Sequence, residues 1–168
     1  MAKIGIQVRT ASIDDAEEIL EIQKAAFLSQ ARVYNNYQLP PLTQCLDSIR
    51  NEFDEKTFLK VQIENRIIAS VRFKTVDGYV TIDRLVVKPE FQNQGIGTAL
   101  LNEIESRVPD ATAFQLFTGN KSIKNIHLYE KMGFKRIKSE TTNQGIELLY
   151  MEKRPSLQPT SKTDFASV

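Results

Sequence analysis

The chain has 168 residues, 41% of them hydrophobic and 26% charged, with 22 Lys and Arg against 21 Asp and Glu for a formal net charge of +1. These values fit one globular domain with a single core and exclude a disordered chain, while the balanced charge gives no general electrostatic case for a nucleic-acid partner. Cys45 and His127 are the only residues of their kinds, which rules out an internal disulfide and argues against a Cys-built metal site; no metal is expected. No apolar run approaches the ~18 residues of a membrane span and "MAKIGIQVRTAS" has no apolar secretion core, so the expectation is a soluble cytoplasmic protein with no membrane partner.

Residues 4–11 are short, β-branched and alternating, which predicts a strand. Ser12 and Asp15 make a capping-box-like helix start. Ala16, Ile19, Leu20, Gln23 and Phe27 then share one helical face. The segment "SQARVYNNYQLPPLTQ" is aromatic, amide-rich and interrupted by Pro40 and Pro41, so an ordered loop or broken helix is expected rather than a linker. A helical pattern resumes over 43–53. Cys45 falls inside that helix, and a buried, inert thiol is the expected state.

"TFLKVQIEN" and "RIIASVRFKTV" read as strands joined by a tight turn at Glu64, Asn65 and Arg66. Asp77-Gly78 marks a second hairpin into "YVTIDRLVV". After Val87 the period changes to a helix with Ile96, Leu100, Ile104 and Val108 on its buried side, stopped by Pro109. "TAFQLFTG" is a further strand. "SIKNIHLYEKMG" is a helix closed by Gly133, with His127 on its solvated side. Two last strands pair across Asn143, Gln144 and Gly145. The order is βααβββαβαββ: an α/β (α+β) fold with a mixed, mostly antiparallel sheet of six or seven strands and helices on both faces. One domain over 1–153 is expected, followed by a mobile tail over 154–168 rich in Pro, Ser, Thr and Lys.

Residues 92–97 carry two glycines and three amides where a strand hands over to a helix. The first backbone N–H groups of a helix have no intrahelical partner, and the helix dipole favours an anion beside them. Gly95 and Gly97 remove Cβ atoms that would hold a phosphate away, and the amide side chains are expected to add neutral donors. A phosphate loop of the Gly-Lys-Ser/Thr type is excluded because no lysine follows Gly97. A dinucleotide fingerprint lacks its third glycine and its acidic ribose hook, since the next strand ends Phe117-Thr118-Gly119.

"VVKPEFQNQGIGTALL" resembles the Gln/Arg-x-x-Gly-x-Gly/Ala acetyl-CoA loop of the GNAT superfamily of N-acetyltransferases. "NKSIKNIHLYEKMGFKR" resembles that family's Asn…Leu-Tyr-Glu-Lys-x-Gly-Phe segment, and the two lie in the family's order over roughly residues 8–150. The resemblance implies a splayed sheet whose parallel strands, 81–87 and 113–118, admit the pantetheine arm of acetyl-CoA. It implies coenzyme contacts from Leu85, Val86, Val87, Gln92, Asn93, Gln94, Gly95, Ile96, Gly97, Thr98, Asn120, Asn125 and Tyr129. It gives the oxyanion-binding N–H to Val86 or Val87 and the thiolate-protonating role to Tyr129, which spacing alone leaves open as a core tyrosine.

Asp83 is the candidate general base, since plain strand alternation sets it on one face with Leu85 and Val87; ordered water is the alternative. Tyr34 and Tyr37 occupy the family's variable lid and are the candidate acceptor-binding residues. That lid holds no acidic cluster to suggest a polyamine and no basic cluster to suggest an acidic acceptor. The expected activity is direct acetyl transfer in a ternary complex to a primary amine of a small molecule, peptide or protein. The alternative is a non-catalytic acyl-CoA-binding or sensor module. A homodimer is left open.

Overall fold

Residues 5–155 are described by the computed structural model of the chain. Its strands are β1 (Val8–Thr10), β2 (Thr57–Ile63), β3 (Arg66–Val76), β4 (Tyr79–Val87), β5 (Ala113–Gly119), β6 (Lys135–Thr141) and β7 (Glu147–Lys153). The helices are α1 (Ala16–Tyr34), α2 (Pro40–Thr43), α3 (Leu46–Glu52), α4 (Ile96–Arg107) and α5 (Ile123–Lys131). One seven-stranded sheet runs β1-β2-β3-β4-β5-β7-β6. The expected mixed, mostly antiparallel architecture is therefore present, with one more short helix than the sequence pattern indicated.

Turn chemistry builds the meander. Glu64 and Asn65 take φ of 51° and 65°, and Asp77 and Gly78 take 51° and 83°. Positive φ at both central residues is the two-residue turn whose twist matches paired strands, and Asn and Gly tolerate it best. α1 continues to Tyr34 and is ended by Asn35 in the left-handed region at φ 47°. Pro40 restarts the chain as α2, where its missing N–H costs nothing. The expected broken helix is thus two helices with a short link.

Two apolar layers clamp the sheet. Leu59, Val71, Phe73, Val80 and Ile82 pack with Leu100 and Ile104 of α4 on one side. Ile19 and Ile22 of α1 and Ile49 of α3 pack with Phe58, Ile67 and Val86 on the other. Phe53 stacks on Phe58 with ring centroids 3.8 Å apart, closing the α3 edge.

Two expectations differ, and a third lies almost wholly outside the described residues. The first strand spans only Val8–Thr10. Cys45 is exposed and stands at the N-cap of α3, because the helix begins at Leu46 rather than Thr43. Of the expected tail, only Arg154 and Pro155 lie within the described residues.

One opening in the sheet positions the site. β4 and β5 are parallel and pair only at Tyr79–Ala113, Val80–Phe114 and Thr81–Gln115. β3 stays paired with β4 as far as Ala69–Val87. From Ile82 onward the other edge of β4 therefore has no strand beside it.

Candidate active site

A β-bulge shapes the free half of β4. Ser70 faces Val86 and Arg72 faces Asp83, so Arg84 and Leu85 together stand opposite Val71. Arg84 absorbs the extra residue at φ 53°. The bulge reverses the phase of the strand. Ile82 packs under α4, whereas Val86 packs on the α1 side. Leu85 and Val87 return to the α4 side. Asp83 faces the other way, toward α3, so it does not share a face with Leu85 and Val87 as plain alternation implied.

The same bulge orients the backbone. Lys88 N–H donates to Ile68 O at 2.8 Å. Alternation then turns Val86 N–H toward β3 as well, and turns Leu85 and Val87 toward the unpaired edge. Val87 O, on that edge, accepts from Gln92 Nε2 at 3.0 Å. Of the two valines considered for the oxyanion, Val86 points its N–H away from the opening.

The loop over 92–97 ends at the N-terminus of α4. Gly95 is the N-cap at φ 81°, and Ala99 N–H is the first to bond back, to Gly95 O at 3.0 Å. Ile96, Gly97 and Thr98 thus present N–H groups with no intrahelical acceptor. The side-chain amides serve the loop itself: Gln92 as above, and Gln94 Nε2 donates to Glu90 O at 3.4 Å. Asn93 holds φ 61°, a conformation that suits asparagine.

The glycines divide their work. A Cβ at Gly95 would meet nothing within 4 Å, so this residue leaves space open in front of the helix. A Cβ at Gly97 would lie 3.1 Å from Leu128 Cδ2 and 3.8 Å from Leu85 Cδ2. Gly97 therefore lets α4 approach α5 and β4, so its missing side chain serves packing.

A cleft of about 530 Å³ lies where β4 and β5 separate, with Asp83, Arg84, Leu85, Phe117, Asn125 and Tyr129 among its walls. Tyr129 is 6% exposed. Its ring meets Phe134 edge-on at 6.0 Å, and burial pushes its phenol well above the ordinary range. Asn125 and Tyr129 share the inward face of α5, one turn apart. His127 is exposed.

Tyr34 also lines the cleft, and its hydroxyl is tied to the β5–α5 junction. It donates to Asn120 Oδ1 at 3.3 Å and accepts Lys121 N–H at 2.8 Å. A Cβ at Gly119 would overlap that hydroxyl, which explains the glycine. Asn120 Nδ2 is held by Glu147 Oε2 at 3.1 Å. Tyr37, by contrast, is 53% exposed and is not among the residues of the cleft wall.

Asp83 belongs to an ion network. Lys56 Nζ is 2.7 Å from its Oδ2 and Arg72 Nε 3.4 Å from its Oδ1. Arg72 is fully buried. Its Nη1 lies 3.0 Å from Glu52 Oε2, and its Nη2 donates to Gln23 and Gln44, each at 3.1 Å. Burial pulls the Arg72 pKa down, while Glu52 and Asp83 oppose that shift. The same network explains Gln23, a polar residue on the inner face of α1. Sequence patterning missed Arg72 and Arg84, since alternation gives no sign that a strand arginine will be enclosed.

The model of the acetyltransferase (GNAT) domain family matches residues 29–155. The chain belongs to the GNAT family of acetyltransferases. It is 27% identical over 143 residues to the UPF0157 protein YqkA of Bacillus subtilis, covering 85% of this chain and 40% of that protein. The chain thus spans well under half of that relative's length. The PaiA N-acetyltransferase of Thermoplasma acidophilum, solved with coenzyme A, superposes with a TM-score of 0.67 at 22% identity, over 90% of this chain and 99% of that one. YncA of Salmonella typhimurium, solved with its cofactor acetyl-CoA, gives 0.71 at 17% identity over 95% and 99%. These likenesses show the fold.

Proposed function

We propose that the chain transfers an acetyl group from acetyl-CoA directly to a primary amine held in the cleft between β4 and β5. The carrying observation is the unpaired edge of β4, which lies between the free N–H groups of α4 and the cleft that Tyr129 lines. The α4 N-terminus and Gly95 suit a pyrophosphate. Val87 N–H lies on the open edge nearer that loop and suits an amide of the pantetheine arm. Leu85 N–H, deeper in the opening, suits the thioester carbonyl as negative charge develops on its oxygen. Acetyl-CoA supplies the acyl group; the protein orients it, excludes water and moves protons.

Tyr129 is assigned the proton for the departing thiolate. A phenol with a raised pKa stays protonated across neutral pH, so the donor is present throughout. Asp83 is assigned an anchoring role, because cations engage both of its oxygens, and deprotonation of the amine falls to ordered water. Tyr34 is assigned the support of Asn120 beside the coenzyme arm. Tyr37 lies apart from the cleft and retains no part in this proposal.

Heat stabilisation tests the binding half. With a chelator present, acetyl-CoA at ~100 times its Kd should add about 2.7 kcal/mol, which is ~5–10 °C in Tm for a chain of this size. NAD and ATP should give much less. Gly95→Val should weaken the effect, since it fills the space before α4 and strains a left-handed position. Equal stabilisation by all three ligands would remove the coenzyme assignment.

A further inference from the structure

We infer that Arg84 selects the acceptor, and that the acceptor is an amine carrying a carboxylate near its nitrogen and an apolar body, as in a free apolar amino acid. The inference rests on the acetyl-transfer reading and specifies its second substrate. Arg84 lines the cleft. Its Nε is buried without a hydrogen-bond partner. Among the described residues its guanidinium makes no ion pair and no side-chain hydrogen bond. The neighbouring carboxylates are already engaged: Asp83 by Lys56 and Arg72, Glu52 by Lys56 and Arg72. Lys56, Arg72 and Arg84 thus face only two carboxylates, and the uncompensated cation is the one at the cleft.

A half-buried guanidinium without an anion is costly to the free protein, and burial lowers the Arg84 pKa against the pull of Asp83 and Glu52. A ligand carboxylate relieves that cost through charge-assisted, fork-shaped hydrogen bonds. The remaining walls are largely apolar: Phe27, Leu39, Pro40, Phe117, Ile146 and Leu148. They suit a hydrocarbon side chain, and the one carboxylate in the wall, Asp83, is already held by Lys56 and Arg72, which argues against a second ammonium and so against a polyamine. Arg84 adjoins Leu85 in the bulge, so a carboxylate on Arg84 keeps a nitrogen a few bonds away beside the acyl carbonyl. The bulge is what turns this arginine into the opening, and sequence alternation concealed it.

The test compares kcat/KM for leucine, methionine and phenylalanine with their amides, which keep the amine and side chain but lose the anion. The amides' amines are the less basic, so any preference for the acids runs against amine availability. At least one acid should exceed its amide by ~10–100-fold. Arg84→Gln should bring that ratio to within ~3-fold of one, and Arg84→Lys should keep part of it. Heat stabilisation of each variant by acetyl-CoA shows that it is folded. Wild-type ratios near one, turnover of the amides alone, or a ratio retained in Arg84→Gln would overturn the inference and leave acetyl transfer standing. Absence of acetyl-CoA stabilisation in the wild type would remove acetyl transfer itself, and the inference with it.

Discussion

Tyr129→Phe should lower kcat by ~10²–10⁴-fold, the usual worth of a positioned general acid, or about 3–5 kcal/mol of transition-state stabilisation. The substitution keeps the ring against Phe134 and deletes only the hydroxyl. The fold, and heat stabilisation by acetyl-CoA, should therefore survive. The loss should fall on kcat rather than KM, because charge appears on sulfur only as the thioester breaks. The hydroxyl's setting makes the assignment specific. Burial holds the phenol protonated, and among the described residues no side-chain hydrogen bond claims it. A structural tyrosine would behave in the opposite way, with a lower Tm and kcat nearly intact. That result would return Tyr129 to the core and leave the leaving thiolate to solvent.

Arg72→Met should cost about 3–5 kcal/mol of stability, the penalty for breaking a buried ion network from one side. The side chain fits the volume, but Glu52 and Asp83 lose the cation between them, and Gln23 and Gln44 lose a donor. At ~2–4 °C per kcal/mol this is a fall in Tm of roughly 6–20 °C. The pH dependence gives a second readout. Burial raises the Glu52 pKa, but Arg72, Gln44 and Lys56 outweigh it, and the net shift is downward. A carboxyl depressed in the folded state contributes stability above its unfolded pKa, and that contribution is lost as pH falls through the folded value. Arg72→Met should therefore lose stability most at neutral pH and converge with the wild type in acid. A Tm within ~2 °C of wild type at neutral pH would show that Arg72 does not anchor α3 to β4.

Local chemistry explains which parts of this molecule could be read from its sequence. The meander was legible because Asn65 and Asp77-Gly78 supply the positive φ that tight hairpins need. The strand-to-helix junction before α4 was legible because Gly95 marks it, and that glycine holds φ 81° at the N-cap. The bulge was not. One extra residue in β4 leaves no mark in composition, yet it moves Asp83 to the opposite face and points Arg84 into the cleft. Burial of Arg72 was hidden for a related reason, since its partners come from α1, the link before α3, α3 itself and β4. The packing role of Gly97 was hidden, because the nearness of Leu128 depends on how α4 meets α5. Tyr37 and Cys45 were placed by pattern, and each proved exposed where the chain leaves a helix or enters one.

Direct transfer from acetyl-CoA to an amine within this one cleft has a kinetic signature of its own. Initial rates of thiol release, measured while acetyl-CoA and a turned-over acceptor are varied together, test it most directly. Release should require the amine, the lines should intersect in double-reciprocal form, and the acetylated amine should equal the thiol in amount. Acetyl-CoA binding without amine-dependent release would contradict it and identify a binding module; parallel lines would contradict direct transfer and require an acetylated protein intermediate.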